Sequence, residues 1–169
     1  MKIEKKQISD TEILLFFNTA FPIVGTFYVT NDIPSISVLE NIMAQKTAEK
    51  LLLTADFIYL KTNSPKNIDD LLLITLAELD DYAESLPKME FADVNNTEEK
   101  IKIILKTIIA PFLQADGGDI ELLSYHENTV EVHFLGKCQG CPYAERTLKE
   151  RVAKNLIRYL PHIKEVVLK

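Results

Sequence analysis

The sequence predicts an α+β chain of two small domains, an N-terminal ββαββα-like unit and a C-terminal α-β-β-α-β unit. Three observations predict it. The apolar pattern changes period repeatedly along the chain, from two residues to three or four and back. The periodic pattern is interrupted at 86–97 by Pro87 and an acidic, amide-rich run. Charge also divides there: residues 1–94 hold 8 Lys and no Arg against 15 Asp+Glu, whereas 95–169 hold 11 basic and 10 acidic residues. The expected organisation is a first domain over 1–86, a linker over 87–97 and a second domain over 98–169.

In the first unit, "TEILLFF" and "GTFYVT" read as strands and "SVLENIMA" as a helix. "KLLLTA" and "DFIYLKT" follow as strands, and a helix runs from Asn67, a good N-cap, to about Tyr82. In the second, Thr97 as N-cap with Glu98 and Glu99 in the first turn suits a helix start. Ile101, Leu105, Ile108 and Phe112 give that helix an apolar stripe, and Pro111 is expected to end or bend it. "ADGGD" stops it, with Gly117 and Gly118 permitting positive φ at the reversal. Ile120, Leu122, Val130, Val132 and Phe134 then alternate around a "HEN" turn as a β-hairpin. A second amphipathic helix carries Leu148, Val152, Leu156 and Tyr159 or Leu160 and stops at Pro161, before a final strand in "IKEVVLK".

Composition excludes several functions. A net charge of -6 disfavours nucleic acid, whose affinity comes from concentrated positive charge. The longest apolar runs, "IIAPFL" and "LLLITLA", fall well short of the roughly 18 to 20 residues that span a bilayer, so no membrane partner is expected. The opening "MKIEKKQISD" lacks the apolar core of a secretory signal and the Arg- and Ser-rich character of a transit peptide, which predicts a cytoplasmic protein.

The chemistry concentrates in "GKCQGCPYAERTLK", which holds both cysteines, Cys138 and Cys141. A C-x-x-C between a strand and a helix puts two sulfurs about one turn apart. Pro142 fits the first helical position, and a helix N-terminus would favour thiolate over thiol, making both sulfurs reactive. Three uses are open: a metal or iron-sulfur centre, a thioredoxin-like dithiol-disulfide oxidoreductase, or two inert structural thiols. Zinc and cubane iron-sulfur clusters take four protein ligands. The remaining candidates are His126, in the turn, His133, beside Glu131 on the solvent face of its strand, and His162, after Pro161, all read as solvated or hairpin histidines. The arithmetic closes if a twofold axis brings the same loop of a second chain alongside, giving four thiolates in a homodimer. Gly136 and Gly140 keep the loop small, and Lys137 and Arg146 stand nearby in sequence as cations. For the oxidoreductase reading, the two preceding strands form a hairpin where that fold needs a parallel βαβ arrangement. Inert cysteines are usually buried, and these flank a polar, Gly-containing turn.

The stretch from about 98 to 168, with D-G-G-D at Asp116 to Asp119, the hairpin, G-x-C-x-x-C-P and T-L-K in that order, resembles the NifU-like C-terminal domain of iron-sulfur scaffold and carrier proteins. The resemblance implies that Cys138 and Cys141 are cluster ligands. It further implies a labile 4Fe-4S cluster bridging two subunits, received from upstream assembly machinery and passed to client apoproteins, with no enzymatic turnover. Ala110 stands where an arginine commonly precedes the proline. The first unit resembles, more distantly, the Nfu N-terminal domain, through "SVLENIMAQKTAEKLLLTADFIYLKT" and the helix after it, with Ile68 where a tryptophan is usual.

Overall fold

The computed structural model describes residues 2–20, 25–30, 42–43, 48–85 and 96–169 and divides into two compact units, Met1–Asn95 and Asn96–Lys169. Most of the expected "SVLENIMA" helix, and residues 87–95 of the expected linker, lie outside the described residues. Both units combine helix with sheet, so the fold is α+β.

The described part of the first unit contains β1 (Ile3–Ser9), β2 (Glu12–Phe17), β3 (Phe27–Thr30), β4 (Ala48–Leu53), β5 (Phe57–Thr62) and helix α1 (Ile68–Ser85). The strands form one antiparallel sheet in the order β1-β2-β5-β4-β3. A 3-10 turn at Pro65–Asn67 leads into α1. Ile68, Leu71 and Leu79 of α1 join the core cluster of Ile13, Leu15, Leu51, Leu53, Ile58 and Leu60 from the sheet. β1 is a strand that sequence periodicity does not announce. Its residues are mostly exposed and polar, and it exists because β2 offers an unpaired edge, running from Ile3 opposite Phe17 to Ser9 opposite Glu12. Lys5 and Lys6 on this outer strand discourage further edge pairing.

A polar pair is buried in this sheet. The Tyr59 hydroxyl donates to Glu12 Oε1 at 2.6 Å, and Ser9 Oγ donates to Glu12 Oε2 at 2.8 Å. Burial, and then the hydrogen bond to Glu12, hold the Tyr59 phenol neutral far above its ordinary range. Tyr59→Phe removes a charge-assisted hydrogen bond from a buried carboxylate, and we expect a loss of about 1–3 kcal/mol. A urea titration of the full chain followed by circular dichroism checks it. An unchanged midpoint would mean that the bond contributes nothing net.

The second unit begins with helix α2, made of Thr97–Ile104, a π turn at Leu105–Ile109 and Ala110–Ala115. Its cap lies one residue earlier than expected: Asn96, not Thr97, accepts the Glu99 amide at 3.1 Å. Pro111 does not end the helix. The wide turn before it shifts the hydrogen-bond ladder, which accommodates a residue without an amide.

The same turn inserts one residue into the apolar stripe. The core side becomes Ile101, Leu105, Ile109 and Leu113, all at most 4% exposed, whereas Phe112 is 56% exposed. The expected stripe through Ile108 and Phe112 is therefore corrected by one position over its second half. Strands β6 (Gly118–His126) and β7 (Thr129–Gly136) form the antiparallel hairpin. Helix α3, made of Ala144–Thr147, a π turn at Leu148–Ala153 and Lys154–Tyr159, crosses to β8 (Glu165–Leu168), which lies parallel to β7. Leu148, Val152, Leu156 and Leu160 are buried at a steady four-residue spacing that suits wide turns. Both helices contact the three-stranded sheet β6-β7-β8, so the cysteine loop between β7 and α3 is anchored at both ends.

Candidate functional site

Cys138 and Cys141 sit on a turn spanning 137–143 between β7 and α3, and both are free thiols of intermediate exposure. Backbone hydrogen bonds build the turn. Cys138 N–H donates to Leu135 O at 3.3 Å, Gln139 N–H to Gly136 O at 3.1 Å, and Ala144 N–H to Cys141 O at 3.0 Å. The helix starts at Ala144, so Pro142 belongs to the turn and not to the first helical position.

The turn is held against the D-G-G-D segment between α2 and β6. Lys137 N–H donates to Gly117 O at 3.1 Å. Gly136 has φ +59, and a Cβ there would stand 2.6 Å from Gly117 O, so both its conformation and its lack of a side chain are required. Gly118 acts differently from the expectation. Its backbone is not in the positive-φ region; that role belongs to Gly117 at φ +80. Gly118 instead makes room for the Cys138 side chain: a Cβ on it would overlap Cys138 Sγ and stand 2.9 Å from Cys138 Cβ. The two glycines thus serve two needs, a chain reversal and the seat of a sulfur.

Cys138 and Cys141 open onto one depression of about 580 Å³, whose rim includes Phe112, Lys137, Tyr143 and Arg151. Tyr143 is 68% exposed. The thiol of Cys138 is pushed above its ordinary pKa, first by burial and then by Cys141, Asp116 and Asp119. This corrects the expectation that both sulfurs are activated at a helix end.

The histidines lie elsewhere. His126 is exposed at the hairpin turn beside Glu127, His133 Nδ1 meets the Lys169 carbonyl, and His162 Nε2 is 3.4 Å from Thr97 Oγ1. Among the described residues no group of three or more His, Cys, Asp or Glu could hold a metal ion. Of the two cations near the motif in sequence, Arg146 is spent on Glu150 at 3.0 Å, while Lys137 lines the depression. Three features of the site are not legible in the sequence: Arg151 and Phe112 are distant from the cysteines along the chain, and Gly118 reads there as a turn residue. The only advance signal for Gly118 is a second glycine where one suffices for a reversal.

A NifU-like domain matches residues 101–167. The match covers nearly all of the second unit, which is similar to NifU-like domains. Two proteins named "NFU1 iron-sulfur cluster scaffold homolog, mitochondrial", from Drosophila grimshawi and Drosophila persimilis, are each 35% identical over 98 residues, which cover 52% of this chain and 33% and 35% of theirs. The same-named protein of Drosophila ananassae is 36% identical over 86 residues, or 49% of this chain and 30% of its own. The chain thus spans about a third of the length of the curated relatives it matches. Their names place them in mitochondria, which overturns the cytoplasmic location expected from the opening residues. The character of ten residues does not define a compartment. No helix among the described residues is long and apolar enough to cross a membrane. Within the matched region the C-x-x-C turn, the D-G-G-D reversal and the start of α3 form one packed corner.

Proposed function

We propose that the chain is an iron-sulfur scaffold or carrier, binding a labile 4Fe-4S cluster as cargo between the Cys138 and Cys141 thiolates of two copies and passing it to client apoproteins. What carries the reading is the pair of half-exposed thiols facing one depression of a NifU-like domain. Two cysteines are all the sequence holds, and a cubane cluster takes four thiolates. A second copy related by a twofold axis supplies the other two. The relatives' names, as iron-sulfur cluster scaffold homologs, support the same cargo.

Several local features suit loading and release. The half-exposed sulfurs are reachable by an incoming client thiolate, and only two ligands per chain hold the cargo. Lys137 and Arg151 at the rim bring positive charge toward an anionic cluster. The role is binding and transfer, not turnover. The first unit, an Nfu N-terminal-like domain by its resemblance, serves as a client-recognition or oligomer-tuning unit. Upstream, an assembly machinery supplies iron and sulfide or a preformed cluster.

The dithiol-oxidoreductase alternative is disfavoured by two observations. The strands before the motif are an antiparallel hairpin, and Cys138 is pushed up in pKa where a nucleophilic thiol needs lowering. Anaerobic reconstitution with iron and sulfide tests the choice. The expected product has a broad visible charge-transfer band, about one cubane cluster per two chains, and a molar mass that moves from one chain toward two. A colourless product that reduces disulfides catalytically would overturn the proposal.

A further inference from the structure

A groove between α2 and α3 adjoins the cysteine depression. Ile108, Ile109 and Phe112 of α2 line it on one side, and Arg151, Lys154 and Arg158 of α3 on the other, around about 870 Å³. Phe112 is there because the π turn moves it off the core face. The Arg151 guanidinium lies 5.4 Å over its ring. Phe112 and Arg151 also line the cysteine depression, so the groove and that depression share a wall.

Arg151, Lys154 and Arg158 recur at i, i+3 and i+7, which places them along one side of α3 over about 10 Å. The carboxylate lining the groove, Glu150, is engaged by Arg146 at 3.0 Å. The wall is therefore basic on a chain whose net charge is -6. Nonspecific attraction to anions is weak for such a chain, and what remains is local complementarity.

We propose that this groove docks an acidic amphipathic helix of a client protein. Its carboxylates face Arg151, Lys154 and Arg158, and its apolar side chains cover Phe112 and Ile108. A helix fits because carboxylates at i, i+3 and i+7 reproduce the spacing of the basic stripe, and an apolar floor beside a charged wall is the shape of helix-in-groove recognition. The wall shared with the cysteine depression then holds the client where its own thiolates approach the cargo. Naming the helix a client's rests on the proposed carrier role; the docking does not, so it is tested on cluster-free protein.

The probe is a fluorescein-labelled synthetic helical peptide with Glu at i, i+3 and i+7 and Leu on the adjoining face, titrated with the full chain and followed by anisotropy. Saturable binding that weakens with salt is expected. In the double variant Lys154→Glu with Arg158→Glu, affinity should fall about tenfold or more, with an unchanged circular dichroism spectrum. Lys66→Glu, a charge reversal in the first unit, should leave binding as it was. Equal binding by the double variant, or by a peptide with Lys in place of Glu, would overturn the proposal. So would tighter binding of a single-stranded DNA oligomer, or sedimentation showing that the peptide displaces a second copy of the chain. Peptide binding without cluster on reconstitution keeps the groove and removes the carrier role; cluster without peptide binding does the reverse.

Discussion

Cys138→Ser and Cys141→Ser are each expected to reduce reconstituted cluster to background while leaving the fold intact. A serine oxygen is a harder and far less acidic donor than a thiol, so it does not replace thiolate on iron at neutral pH. The effect is doubled by symmetry, because one substitution in the chain removes two of the four ligands in a twofold assembly. The fold survives because the turn is held through backbone groups, such as Ala144 N–H to Cys141 O and Lys137 N–H to Gly117 O, and not through the sulfurs. Iron and sulfide per chain, with a circular dichroism spectrum of the apoprotein, are the measurements. Wild-type cluster content in either variant would mean that the ligands are misassigned.

Gly118→Ala should be nearly as damaging to cluster binding, although it adds only a methyl group. The backbone at Gly118 accepts any residue, so no conformational strain is involved. The damage comes from collision: the new Cβ meets Cys138 Sγ and stands 3.1 Å from the Cys138 amide nitrogen, so the sulfur must leave its seat. Overpacking of this kind costs about 1–3 kcal/mol, and displacing a ligand costs cluster occupancy on top of that. Gly140→Ala is the informative control. Gly140 has φ +70, and a methyl group added there would meet nothing within 4 Å, so that substitution strains the loop without touching a sulfur. Reconstitution should therefore fall much further for Gly118→Ala than for Gly140→Ala. Equal losses would show that loop stiffness, and not the seat of Cys138, governs binding.

These two predictions differ in where they are legible. The cysteine pair is visible in the sequence because thiol chemistry is carried by residue type and spacing. Gly118 is visible only as a glycine. Its task depends on which atom comes opposite it, and that atom belongs to Cys138, on the far side of the hairpin.

The α+β alternation behaves similarly. Strongly periodic segments, such as the hairpin of β6 and β7 and the helix over Leu148 to Leu160, are legible because burial selects their apolar residues one by one. β1 is not, since its residues are mostly polar and the strand is stabilised by the free edge of β2. The cap moves from Thr97 to Asn96 because either side chain can accept an amide and only the helix geometry decides which one does.

The sequence by itself determined the alternation of strands and helices, the two-unit division of charge, and the two thiols with their spacing. Those follow from side-chain chemistry and from periods that any single element must obey. Only the tertiary structure decided that a π turn rotates Phe112 out of the core, that Arg151 shares a rim with the cysteines, and that Gly118 leaves room for a sulfur. Each of these is set by packing and not by the residue types of a single segment. Sequence periodicity is blind to a one-residue change in helical ladder until the packed core shows which face it has buried.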